Sequence, residues 1–118
     1  MATNEVFEYG NQLSVVCSHP TTPASGDPVI VGQIPGVALT DERTDGTTTV
    51  KFNGVYDLTV AGVNGSGNSA VAVGDILYYV SADAPAVLSK KTTGVRFGYA
   101  LETVDSGGSA VIQVKIGY

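Results

Sequence analysis

Cys17 and His19 are the only thiol and the only imidazole in the chain, and they stand two residues apart. In a strand that spacing puts both side chains on one face, as a thiol nucleophile and an imidazole base would require. Their surroundings argue against catalysis. Cys17 ends an apolar run, Gln12 to Cys17, where a free thiol packs as a small hydrophobe. Pro20 holds His19 in a loop, and neither an orienting third group nor an oxyanion site can be identified. His19 therefore reads as a solvated loop residue and Cys17 as part of a core.

The acids are equally bland. Asp41, Glu42 and Asp45 surround Arg43 at a turn. A calcium loop wants oxygens at alternating positions, and here a guanidinium occupies the middle one. A pair of glycosidase carboxylates needs a cleft that short strands in so small a chain rarely enclose. Asp27 and Asp75 each follow a glycine and read as turn formers whose carboxylates accept nearby backbone N–H groups. Gly65 to Ala70 matches G-x-G-x-x-A, but that fingerprint carries meaning only between a strand and a helix, and neither flank fits. Of the pair Tyr78-Tyr79, alternation turns one ring inward and the other outward. No cofactor is called for.

Bulk properties narrow the class. The 118 residues suffice for one core, and 43% hydrophobic against 14% charged residues describes a globular chain. Fifteen glycines imply many tight turns. A net charge of −5 has the wrong sign for gripping phosphate backbones, so nucleic acid is not an expected partner. One cysteine leaves no intramolecular disulfide, which fits a reducing compartment. The first residues lack the basic and apolar regions of a secretory signal, and no apolar run is long enough to span a bilayer. Synthesis in a cytoplasm, with no membrane partner, is the expectation.

The elements that would hold these residues are strands. Val6 to Tyr9 and Gln12 to Cys17 alternate, and prolines at 20 and 23 follow. Residues 1–25 therefore read as an arm with the first strands. Gly26-Asp27 opens the strand Pro28 to Val31, and residues 32–36 form a turn ending in Pro35-Gly36. Thr48, Val50 and Phe52 share one side of the next strand. Asn53-Gly54 favours a type I′ turn, which predicts a hairpin from 47 to 60 with Tyr56, Leu58 and Val60 on one face. Residues 62–69 are a Gly-rich connection, and a single helical turn is placed near Ser69 to Val73. After Ile76 to Val80 and the short return Val87-Leu88, Val95, Phe97, Tyr99 and Leu101 share one face of a strand. Ala110 to Ile116 closes the chain.

The chain also repeats itself. Gly26-Asp27, Gly36-Val37-Ala38-Leu39 and Val50-Lys51 have counterparts in Gly74-Asp75, Gly98-Tyr99-Ala100-Leu101 and Val114-Lys115. The expected fold is all-β: a compact small barrel or clip-like domain over 26–118 with an extended N-terminal arm and two related half-repeats, about 26–60 and 74–117.

Gly26-Asp27-Pro28-Val29, Gly36-Val37-Ala38-Leu39, Val55-Tyr56-Asp57-Leu58, Val73-Gly74-Asp75-x-Leu77-Tyr78 and Gly98-x-Ala100-Leu101-Glu102 come in that order, followed by Ile112 to Ile116. Together they resemble the head decoration, or capsid cement, proteins of tailed phages. Ala72-Val73 stands where relatives often carry Trp before Gly-Asp. The resemblance implies a tulip-like β domain that binds the outer surface of the mature head. It also implies the major capsid protein as partner and a homotrimer on the lattice. Val6, Phe7 and Tyr9 are the expected capsid contacts, pairing edge-on with a capsid strand. The alternative is a carbohydrate-binding or adhesive module using Tyr56, Tyr78 or Tyr99.

Overall fold

A computed structural model describes residues 12–83 and 86–117. The strand read at Val6 to Tyr9 lies outside the described residues. The protein is all-β. Its strands are β1 (Gln12–Val15), β2 (Pro28–Val31), β3 (Ile34–Ala38), β4 (Thr48–Lys51), β5 (Val55–Ala61), β6 (Val63–Asn64), β7 (Gly67–Asn68), β8 (Ile76–Tyr79), β9 (Leu88–Ser89), β10 (Val95–Ala100) and β11 (Ser109–Ile116). One 3₁₀ turn spans Ser81–Asp83, so the helical turn sits after β8 and not at Ser69 to Val73, where Val71 instead bridges Val104.

Two sheets carry the fold. β1-β4-β3-β2 is a four-stranded sheet, and β10-β11-β5-β9-β8 closes into a barrel. The barrel leaves no free edge, and β9 completes it by pairing parallel to β5 and antiparallel to β8. In the other sheet, the chain beyond β1 returns to the far side. Ser18 and His19 donate backbone N–H groups to Ile30 O, and Ile30 donates to His19 O, which covers the outer edge of β2.

The repeat is visible as a matching set of hydrogen bonds. Gly26 N donates to Ala38 O at 2.8 Å and Ala38 N to Asp27 O at 2.9 Å; Gly74 N donates to Ala100 O at 2.7 Å and Ala100 N to Asp75 O at 3.0 Å. Each aspartate carboxylate accepts a backbone N–H three residues earlier, from Ala24 and Ala72 respectively, and both glycines have φ of 91°. The register follows suit. Val37 faces Lys51 and Ala38 faces Val50, as Tyr99 faces Lys115 and Ala100 faces Val114. Gln12 through Val15 face Lys51 back to Thr48, as Val55 through Leu58 face Lys115 back to Ile112. The correspondence therefore runs from Gln12–Lys51 onto Val55–Lys115, and β5 begins the second half.

That topology overturns the hairpin predicted at 47–60. β4 pairs with β1 and β3, whereas β5 pairs with β11 and β9. Asn53-Gly54 is the crossing between sheets. Gly54 has φ of 105° while no residue other than glycine has positive φ among those described, so a type I′ turn, which needs two such residues, does not form. The turn after β2 is also shorter than expected. Only Gly32-Gln33 separates β2 from β3, and Pro35 is a strand residue opposite Ile30. β4 pairs with β3 only at Val37 and Ala38, so the missing N–H of Pro35 costs no ladder bond.

The strand β10 departs from simple alternation. Its register against β8 shifts between Arg96 and Gly98. Such a bulge inverts the side-chain phase: Phe97 and Ala100 are both fully buried, and Tyr99 and Leu101 face outward. The expected common face of Val95, Phe97, Tyr99 and Leu101 is thereby split.

The main core gathers Leu58, Val60, Leu77, Tyr79, Leu88, Phe97, Val114 and Ile116 from the barrel with Ile30 and Val37 from the sheet. Val29, Ala38 and Val50 form a second cluster with Val15, Cys17 and Phe52 against it. Ile30 and Val37 carry side chains of the four-stranded sheet into the barrel's cluster.

Candidate functional site

The sulfur and the imidazole do not make a catalytic pair. His19 Nδ1 lies 2.6 Å from the Tyr79 hydroxyl, and the two rings meet edge to face with centroids 5.6 Å apart. Tyr79 is 2% exposed and stacks on Phe97; burial, reinforced by Asp27 and Cys17, pushes its hydroxyl far above the ordinary phenol range. The hydroxyl stays protonated and shares a hydrogen bond with His19 Nδ1. His19 is half-buried, which corrects its reading as solvated: its ring ties the segment after β1 to the barrel core. Burial also raises the Cys17 thiol, so the thiolate that nucleophilic chemistry needs is disfavoured. Replacing Tyr79 by Phe removes one half-buried hydrogen bond and is expected to lower stability by about 1 kcal/mol, measured by urea unfolding.

The acidic turn is a structural knot. Asp41 accepts from Ser25 N at 2.8 Å, and Asp45 accepts from both the amide and the hydroxyl of Thr47, which hold its carboxyl below the usual range. Arg43 donates to the hydroxyls of Ser14 and Thr49, linking this turn to β1 and β4. No group of three or more potential metal ligands occurs among the described residues. The G-x-G-x-x-A stretch is neither a phosphate cradle nor a helix start. Val63 pairs with Asn68 and Asn64 with Gly67 in a two-strand finger.

The outer surface is where the sheet faces differ. On the barrel, Lys115 lies between Val55 of β5 and Tyr99 of β10. Arg96 donates to the Tyr99 hydroxyl, and its guanidinium stands 5.6 Å from the Tyr99 ring centre, with the Lys115 ammonium 5.9 Å away. Val55 and Val111 are 52% and 65% exposed nearby in the same paired strands. A shallow groove lined by Gln33, Thr93, Gly94, Val95 and Arg96 spans the two halves, and among the described residues no acid, imidazole or thiol lines it. Tyr78 is half-buried on β8 and faces Arg96 across the ladder. Val6, Phe7 and Tyr9 fall outside the described residues; β1, which follows them, begins at Gln12. The cation pair around Tyr99 had no sequence signal, because Arg96 and Lys115 meet only through the β10–β11 register.

Closed strands and backbone-clasping aspartates define a small β module built on a five-stranded barrel. The family model of phage cement proteins matches residues 7–116. The chain belongs to that family, whose members are structural proteins of the phage capsid. Comparison with curated proteins and with solved structures gave no match.

Proposed function

We propose that the protein decorates the outer surface of the mature phage head and holds its lattice together against internal pressure, as a homotrimer bound to the major capsid protein. The observation that carries this reading is the match to the cement family over residues 7–116. The mechanism is linkage. A protein that binds the expanded lattice better than the immature or ruptured one stabilises it by mass action, and identical weak contacts on a symmetric shell add through avidity. A bulge-pinned barrel without a free edge suits a rigid clamp, since little is lost in ordering it on binding.

Val6, Phe7 and Tyr9 make the capsid contact in this reading, as an added strand whose backbone bonds give affinity and whose alternate side chains give register. They precede β1 in the chain. Deleting residues 1–10 is expected to abolish decoration of heads, read by co-sedimentation, while circular dichroism of the truncated protein stays unchanged. Full decoration by the truncated chain would falsify the arm's role.

A further inference from the structure

Asn53-Gly54 does not build the turn its sequence suggests, and this leaves the pair chemically open. We propose that Asn53 is a site of spontaneous covalent modification, deamidating through a cyclic imide to aspartate and isoaspartate at the crossing between the two halves. The Gly54 amide nitrogen attacks Asn53 Cγ. The new N–Cγ bond forms as the Cγ–Nδ2 bond breaks, and the Gly54 amide proton leaves with Nδ2 as ammonia. Water then opens the ring at either carbonyl. One opening gives aspartate; the other routes the main chain through the side-chain carboxyl and gives isoaspartate. The balance is one water taken up and one ammonia released, with no oxidant or reductant.

The structure separates this site from a second Asn-Gly step in the same chain. Asn53 and Gly54 are both exposed, and among the described residues neither the Asn53 side chain nor the Gly54 amide has a hydrogen-bond partner. The absent Cβ of glycine leaves the attacking nitrogen unshielded. Asn64-Gly65 has the same sequence chemistry, but Asn64 is half-buried, pairs with Gly67 across the finger, and accepts from Ser66 N through Oδ1 at 2.8 Å. Its carbonyl must give up that bond before the neighbouring amide can attack. Conversion at 53 acts where it matters to the fold. Gly54 O accepts from Ile116 N at 2.9 Å, and isoaspartate adds a main-chain carbon immediately before that bond.

The test is to hold the folded, full-length protein in warm, mildly alkaline buffer and follow both sites by peptide mapping, scoring exchange of NH for O and the isoaspartyl linkage. The Asn53 peptide is expected to convert several-fold faster than the Asn64 peptide, and the two rates are expected to converge in urea-unfolded chain. Asn53→Gln should remove the fast-forming acidic species, since its imide ring is slower to close. Equal rates in the folded protein would overturn the proposal. So would a ratio unchanged by unfolding, because local sequence and not the crossing would then set the rate.

Discussion

Gly98→Ala is expected to lower stability by about 3 kcal/mol, near the upper end for forcing extra volume into a packed interior. A Cβ on Gly98 would stand 2.0 Å from Lys115 O and 3.0 Å from its carbonyl carbon. Both are backbone atoms of β11, so no rotamer change relieves the clash; the β10–β11 pairing must open. The counterpart Gly36 meets Val50 Cγ1 at 2.5 Å and Lys51 O at 3.0 Å, where a side chain can yield part of the way. Gly46 is the control, with φ of 85° and open space around its Cβ position; alanine there costs only its backbone strain, about 1 kcal/mol. In thermal unfolding Gly98→Ala should fall by about 12 °C, several times the shift of the control. Equal shifts would mean that β10 and β11 do not approach as closely as described.

Phe97→Ala is expected to cost more, about 4 kcal/mol, by the combined loss of transfer energy and the cavity left behind. Phe97 is 0% exposed, stacks on Tyr79 with centroids 6.1 Å apart, and sits at the bulge that sets the phase of β10. Its loss should also weaken the hold of Tyr79 on His19 and loosen the segment before β2. Denaturant unfolding gives the energy, and amide exchange at Ser18 to Ile30 reports the loosening. A cost below about 1.5 kcal/mol, typical of a swap that the core absorbs, would contradict the assigned packing.

The all-β class, most strand positions and the Gly-Asp landmarks of the repeat were legible in the sequence, whereas its halves, read as about 26–60 and 74–117, are offset because β5 begins the second. The repeat was legible because Gly26-Asp27 and Gly74-Asp75 make the same local clasps, a carboxylate on a backbone N–H three residues back, and local bonds write themselves in short motifs. Asn53-Gly54 misled because turn chemistry does not say which strands will pair across it; β11 offers β5 a longer partner than β4 does. The phase of Phe97 against Tyr99 was hidden by a one-residue register shift, which no alternation pattern reveals. His19 looked solvated because its partner, Tyr79, is sixty residues away. The expected contacts Val6, Phe7 and Tyr9 were read from the alternation of the N-terminal segment, which lies outside the described residues, and they stand as a proposal.

A cement protein must prefer the mature lattice to the immature one. Purified protein is mixed with expanded heads and, separately, with immature heads of the same phage, and saturable binding is followed by co-sedimentation alongside the temperature at which the shells rupture. Binding confined to expanded heads is expected, with a rise in their rupture temperature that saturates with occupancy. Binding both shells equally, or coating expanded heads without raising that temperature, would contradict it.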